Sequence, residues 1–149
     1  MIHTVDVQYG IDGPDLPKRT QVTLWANAAL QNIDTAVELS IRIVDELEGT
    51  QLNEQWSKKT GPTNVLSFPF EGNEEMQPKL LGDVVLCAPV IAREAFEQDK
   101  SVDAHWAHMI IHGTLHLLGY DHIEGQQIEI MESLEIKILN KLNFNNPYT

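Results

Sequence analysis

Between residues 105 and 116 a histidine recurs at offsets of three, four and four, the spacing of one helix face. Advancing about 100° per residue, His105, His108, His112 and His116 fall within a sector of roughly 80°. Such a face needs either ordinary hydrogen-bond partners or a metal ion. His112 and His116 stand one turn apart and can grip one ion together. Gly119 follows at the position where a helix most easily ends in a left-handed residue. The chain can turn there and bring His122 back as a third ligand. Three protein nitrogens leave the fourth tetrahedral position of a zinc ion open, as in a catalytic site. Spacing alone also allows His108 with His112 as the chelating pair. His112 and His116 are preferred because only they place Gly119 and His122 correctly. His108 is then expected to support the site or edge the core, and His105 to lie near solvent at the helix start.

The pattern His-x-x-x-His-x-x-Gly-x-x-His matches the ligand spacing of the metzincin peptidases. Those enzymes carry a glutamate general base directly after the first histidine, and here that position is Gly113. The spacing therefore points to a metal site without the peptidase's proton acceptor.

A chain of 149 residues fits one domain, residues 1–149, with a core large enough to need no staples. The lone Cys87 cannot form an internal disulfide. No basic segment followed by an apolar run opens the sequence, and no apolar stretch reaches the eighteen or so residues of a membrane span. These readings predict a soluble, cytoplasmic protein. The formal net charge of −12 argues against a blanket electrostatic grip on nucleic acid. A cleft lined by a divalent metal and a few lysines or arginines can still be locally positive.

Along the chain, residues Ile2 to Val7 read as a short strand, and Pro17 to Leu30 as an amphipathic helix. From Ala36 to Val44, Val37, Leu39, Ile41 and Ile43 alternate with Glu38, Ser40 and Arg42, the period of a half-buried strand. Asp45 to Gln55 predicts a short helix interrupted around Gly49, anchored by Leu47 and Leu52. Asn64 to Phe70 and Gly82 to Ala88 read as strands, and Pro69 argues against a central position for that end of the first because proline has no N–H for the ladder. Glu71 to Lys79 reads as a loop. A helix is expected from Pro89 to Gln98, and Ser101 is the expected N-cap of the histidine helix. The last helix, Gly125 to Leu142, carries Ile128, Met131, Leu134, Ile138 and Leu142 on one stripe, with its glutamates expected opposite. The order of elements predicts an α+β fold, a small sheet with helices packed on one side.

Two motifs carry a resemblance: HGTLHLLGYDH at 112–122, and PTNVLSFPF at 62–70 with GDVVL at 82–86 behind it. With their order and separation, they make the chain resemble the YbeY family of endoribonucleases, or rRNA maturation factors, from about Leu39 to the last helix. His112, His116 and His122 match that family's three zinc ligands. The resemblance implies one Zn2+ per chain, a mixed four-stranded sheet, and a zinc-binding helix lining a cleft. It implies a single-strand-specific, metal-dependent endoribonuclease acting in 16S rRNA 3′-end maturation and ribosome quality control. Its partners would be ribosomal RNA and small-subunit ribosomal proteins, not DNA and not a membrane. The family pattern LNxxYR is broken here: Leu52 and Asn53 match, but Trp56 stands for the tyrosine and Ser57 for the arginine. Lys58 or Lys59 is the candidate replacement for that charge, as a point charge without the guanidinium fork.

Asp121, beside His122, is the candidate to orient a ligand histidine. Asp83 is a second candidate for that role or a plain strand-end residue, Ser67 a candidate cleft wall, and Tyr120 is expected to pack beneath the site. Competing readings are a zinc hydrolase of another substrate class and a non-enzymatic, zinc-stabilised ribosome-assembly factor.

Overall fold

The structure, a computed structural model, describes residues 3–72, 77–120 and 125–149. Four strands, β1 (Thr4–Tyr9), β2 (Val37–Val44), β3 (Val65–Pro69) and β4 (Lys79–Cys87), form one sheet in the order β1-β2-β4-β3. β1, β2 and β4 are parallel, and β3 runs antiparallel along the edge of β4. Parallel neighbours need crossovers, and helix α1 (Arg19–Ala29) supplies the one between β1 and β2. The remaining helices are α2 (Glu46–Leu52), α3 (Ala88–Glu97), α4 (Val102–Leu117) and α5 (Gly125–Lys141), with a π-helical turn at Asn53–Ser57. This is the α+β architecture with a mixed four-stranded sheet that the sequence predicts.

Alternation decides the two faces of the sheet. Leu39, Ile41 and Ile43 of β2 and Val84 and Leu86 of β4 point into the main core, which α1 and α4 close with Val22, Trp25, Ile110, Ile111 and Leu115. Fully burying such a side chain contributes about 1.5–3 kcal/mol, against about 1 kcal/mol net for a typical hydrogen bond. The aliphatic residues of α4 therefore fix where that helix lies, and its histidines are carried along.

The other face holds a smaller cluster of Val44, Val85, Cys87 and Val90, packed by Leu52, Leu66 and Phe68. α2 docks there, and Arg42 of β2 meets Glu48 of α2 at 2.6 Å. Helices thus lie on both faces and not on one. α2 also runs without a break through Gly49, whose small size lets the helix approach Cys87; an added Cβ would stand 3.2 Å from the Cys87 Sγ. Leu47, expected as an anchor, is exposed. Strand β4 begins at Lys79, three residues before the expected Gly82, because it continues its pairing with β2 from Val37 onward. Pro69 ends β3 at the sheet's edge, where its missing N–H is tolerated.

Candidate metal centre

Three local devices seat α4. At its start the Ser101 Oγ accepts the Ala104 N–H at 3.1 Å, the cap expected from the sequence. At its end the Tyr120 N–H donates to the Leu115 carbonyl at 3.1 Å and the Gly119 N–H to the His116 carbonyl at 3.0 Å. With Gly119 at φ +103° this is a Schellman close, and the helix ends at Leu117, one residue after His116. In the middle, Gly113 lies against the sheet: a Cβ there would come within 2.6 Å of the Val84 side chain and 3.1 Å of Val65. The Ser67 hydroxyl donates to the Gly113 carbonyl at 3.0 Å and so tethers the helix to the sheet. No glutamate fits at position 113, which removes the general base on which the peptidase reading depends.

The histidine face changes character along the helix. His105 and His108 are buried, while His112 and His116 are partly open. The expected exposure of His105 is corrected here: it is only 2% exposed, because Glu94 of α3 covers it and contacts its Nε2 at 2.9 Å. The rings form a continuous series, with centroids 6.3 Å apart for His105 and His108, 6.2 Å for His108 and His112, and 4.7 Å for His112 and His116.

Behind this series stands Glu135 of α5, whose side chain is 0% exposed. The expectation that the glutamates of α5 all face away from its apolar stripe fails at this residue. Its Oε1 lies 2.9 Å from the His108 Nε2 and also accepts from the Tyr148 hydroxyl. Its Oε2 lies 2.5 Å from the His112 Nδ1. Burial alone would raise the Glu135 pKa, but hydrogen bonds from His108 and His112, the charge of His112 and the Tyr148 hydroxyl outweigh it and lower it to about 2. The same contact, added to burial, raises the Tyr148 phenol. Glu135 is thus an ionised carboxylate, able only to accept. The ring nitrogens facing it, His108 Nε2 and His112 Nδ1, are then the donors, and Nε2 of His112 is the nitrogen on the far side of its ring from Glu135.

His108, His112 and Glu135 form a group that can hold a metal ion, their ligand atoms all lying within 4.8 Å of one another. Ligands at about 2.1 Å on a tetrahedral ion stand about 3.4 Å apart. The 2.5 and 2.9 Å contacts are shorter, at hydrogen-bond distance. The donor set suits a metal in a second way as well: a carboxylate behind His112 and a second histidine one turn along are the usual surroundings of a metal-ligating imidazole.

The other expected site residues fall in different places. His112 and His116 are together on α4, whereas His122 and Asp121 lie outside the described residues. Lys58 and Lys59 are exposed at the end of the π-helical turn, Lys58 in the left-handed conformation at φ 61°. Among the described residues neither makes an ion pair or a hydrogen bond to the histidine helix. Trp56, just before them, stacks edge-on against Phe68, on the sheet face opposite α4. Asp83 also faces away from α4, since its neighbour Val84 faces Gly113, and it accepts from the Ser40 hydroxyl. Tyr120 is exposed.

Glu135 and Tyr148 are the residues that sequence reasoning missed. Glu135 had a signal, being four residues after Met131 and three before Ile138, inside the apolar stripe. Tyr148 had none, since the tail carries no periodicity.

The sequence model of the family described as "Endoribonuclease YbeY" matches residues 5–143. A solution structure of the Thermotoga maritima protein TM1509 is similar over 94% of this chain and 92% of that one, with a TM-score of 0.62 and 20% identity. At that identity the likeness shows the fold. No helix among the described residues is long and apolar enough to cross a membrane.

Proposed function

The chain belongs to the YbeY endoribonuclease family, and on that premise we propose that it is a zinc-dependent, single-strand-specific endoribonuclease of 16S rRNA 3′-end maturation and ribosome quality control. One Zn2+ is held by His112, His116 and His122. The observation that carries this reading is the state of His112: Nδ1 is tied to a buried carboxylate, and the ring of His116 lies 4.7 Å away at the open end of the histidine face. A divalent ion bound there lowers the pKa of water to around 7 and polarises a phosphoryl oxygen.

The chain's own residues do the rest. His112 and His116 present ring nitrogens from one helix turn, and the Gly119 turn closes α4 just beyond them. Asp121 orients His122. Lys58 or Lys59 supplies the positive charge that the family places at the position of Ser57. Ribosomal RNA is the substrate, small-subunit proteins are its partners, and the cytoplasm is its location.

The test is cleavage of a single-stranded RNA by wild-type protein and His116→Ala prepared in parallel, with zinc content and circular dichroism on both. The expected result is about one zinc and cleavage for the wild type, and neither for a folded variant. Equal cleavage by both would assign the activity to a contaminant. Zinc without cleavage by the wild type would favour a zinc-stabilised assembly factor.

A further inference from the structure

The family match ends at residue 143, yet the chain continues to Thr149 and returns to the histidines. The tail is held at both ends. Phe144 packs edge-on against Trp25 with centroids 6.2 Å apart, and its N–H donates to the Leu139 carbonyl at 2.9 Å. Tyr148 sets its ring against His108 at 5.3 Å and its hydroxyl on Glu135. Glu135 therefore receives three donors from two parts of the chain, His108 and His112 of α4 and Tyr148 of the tail. A carboxylate with one oxygen held by His108 and Tyr148 cannot rotate away from the His112 Nδ1 without breaking those contacts.

We propose that Glu135, braced by Tyr148 of the C-terminal tail, is the positioning residue that holds His112 in the Nδ1–H tautomer with Nε2 toward the ion. Docking of the tail is thereby coupled to metal affinity. The inference rests on the reading that the ion sits with His112 and His116. Neither Glu135 nor Tyr148 touches substrate in this scheme; both act through the His112 ring.

The experiment uses the full chain carrying 15N-labelled histidine. The His112 tautomer is read in the metal-free protein from long-range 1H–15N spectra, and zinc affinity is read by competition with a chelator. Compared with wild type are Glu135→Gln, Tyr148→Phe, His116→Ala and, as control, Glu94→Gln, which alters the carboxylate on His105. An amide in place of Glu135 cannot accept from both flanking rings. Glu135→Gln is expected to weaken zinc binding roughly 10- to 100-fold and to mix the His112 tautomers. Tyr148→Phe keeps the ring on His108, removes only the hydroxyl, and is expected to weaken zinc several-fold with the same spectral trend. Glu94→Gln is expected to change neither readout.

If Glu135→Gln and Tyr148→Phe bind zinc within twofold of wild type and His112 keeps its tautomer, while His116→Ala loses zinc, this inference alone is overturned. If Glu135→Gln does not fold, Tyr148→Phe decides on the same two readouts. An equal loss in Glu94→Gln would mark a general loosening of α4 and also overturn the proposal. If His116→Ala binds zinc as wild type does, the ion is not on that side of His112, and the underlying reading fails.

Discussion

His105 meets Glu94 at 2.9 Å and, about one turn further along α4, His108 meets Glu135 at the same distance, yet the two carboxylates sit in different company. Glu94 keeps 27% of its side chain exposed and shares its charge with the Asn64 amide at 3.1 and 3.3 Å. It ties together α3, the residue before β3, and α4, all of which the core already holds. Glu135 is fully buried, takes three donors, and one of them is a histidine at the open end of the face. The same pair of side chains thus makes a brace in one place and an orienting group in the other. What separates them is the number of donors and the distance to the partly open rings.

The largest effect is expected on the Glu135 side. Glu135→Ala removes the shared acceptor of His108, His112 and Tyr148: His108 is buried, and an orphaned buried donor costs about 1–3 kcal/mol, while the partly open His112 and the exposed Tyr148 each lose a hydrogen bond worth about 1 kcal/mol. A loss of about 3 kcal/mol or more in denaturant unfolding is expected; a loss below 1 kcal/mol would mean the three donors find other partners. Next comes Gly113→Ala, at the residue after His112, where α4 rests on the sheet. Its Cβ would overlap Val84 at 2.6 Å, and overpacking of this kind costs about 1–3 kcal/mol. Because it lifts the whole helix, it is expected to lower stability with little change in zinc affinity per folded molecule. A selective loss of zinc would show that the seat on the sheet, and not Glu135, sets the ligand geometry. Glu94→Gln is expected to cost about 1 kcal/mol in the same unfolding assay, and a loss as large as that of Glu135→Ala would erase the distinction drawn between the two contacts.

Most of the fold can be read from local patterns because local physics decides it. The alternation of Val37 to Val44, the Ser101 cap and the Gly119 close each depend on a few neighbouring residues, and all three stand in the structure. The paired histidines on α4 follow from helix geometry in the same way. What escaped depends on which element covers which. His105 shares a helix face with His112, but its burial is decided by Glu94 of the preceding helix α3, which no pattern within α4 reports. Glu135 was visible as a charge within an apolar stripe, but only the packing of α5 on α4 gives that charge its donors. The unbroken course of α2 through Gly49 goes with the nearness of Cys87 at the end of β4, a contact on the sheet face that no helix propensity reports.

The smallest expected effect concerns protons on the Glu94 side. Burial holds the His105 pKa below its ordinary 6.5; the hydrogen bond and charge of Glu94 pull upward, while Lys100 and His108 push down along with burial. Above pH 6.5 His105 is neutral in both folded and unfolded chains and contributes no pH dependence. As pH falls below that value the unfolded chain takes up a proton that the folded chain resists. Stability is therefore lost downward from pH 6.5 until the folded His105 pKa is reached, with a slope of at most about 1.4 kcal/mol per pH unit for one proton. His105→Gln removes this group without removing a partner for Glu94. Urea unfolding at several pH values between neutrality and mild acid should give a shallower decline for the variant than for the wild type. Equal declines would mean that Glu94 holds its own against burial and protonates His105 as readily as solvent does. The His105 contact would then be an ion pair, and burial would not set its protonation.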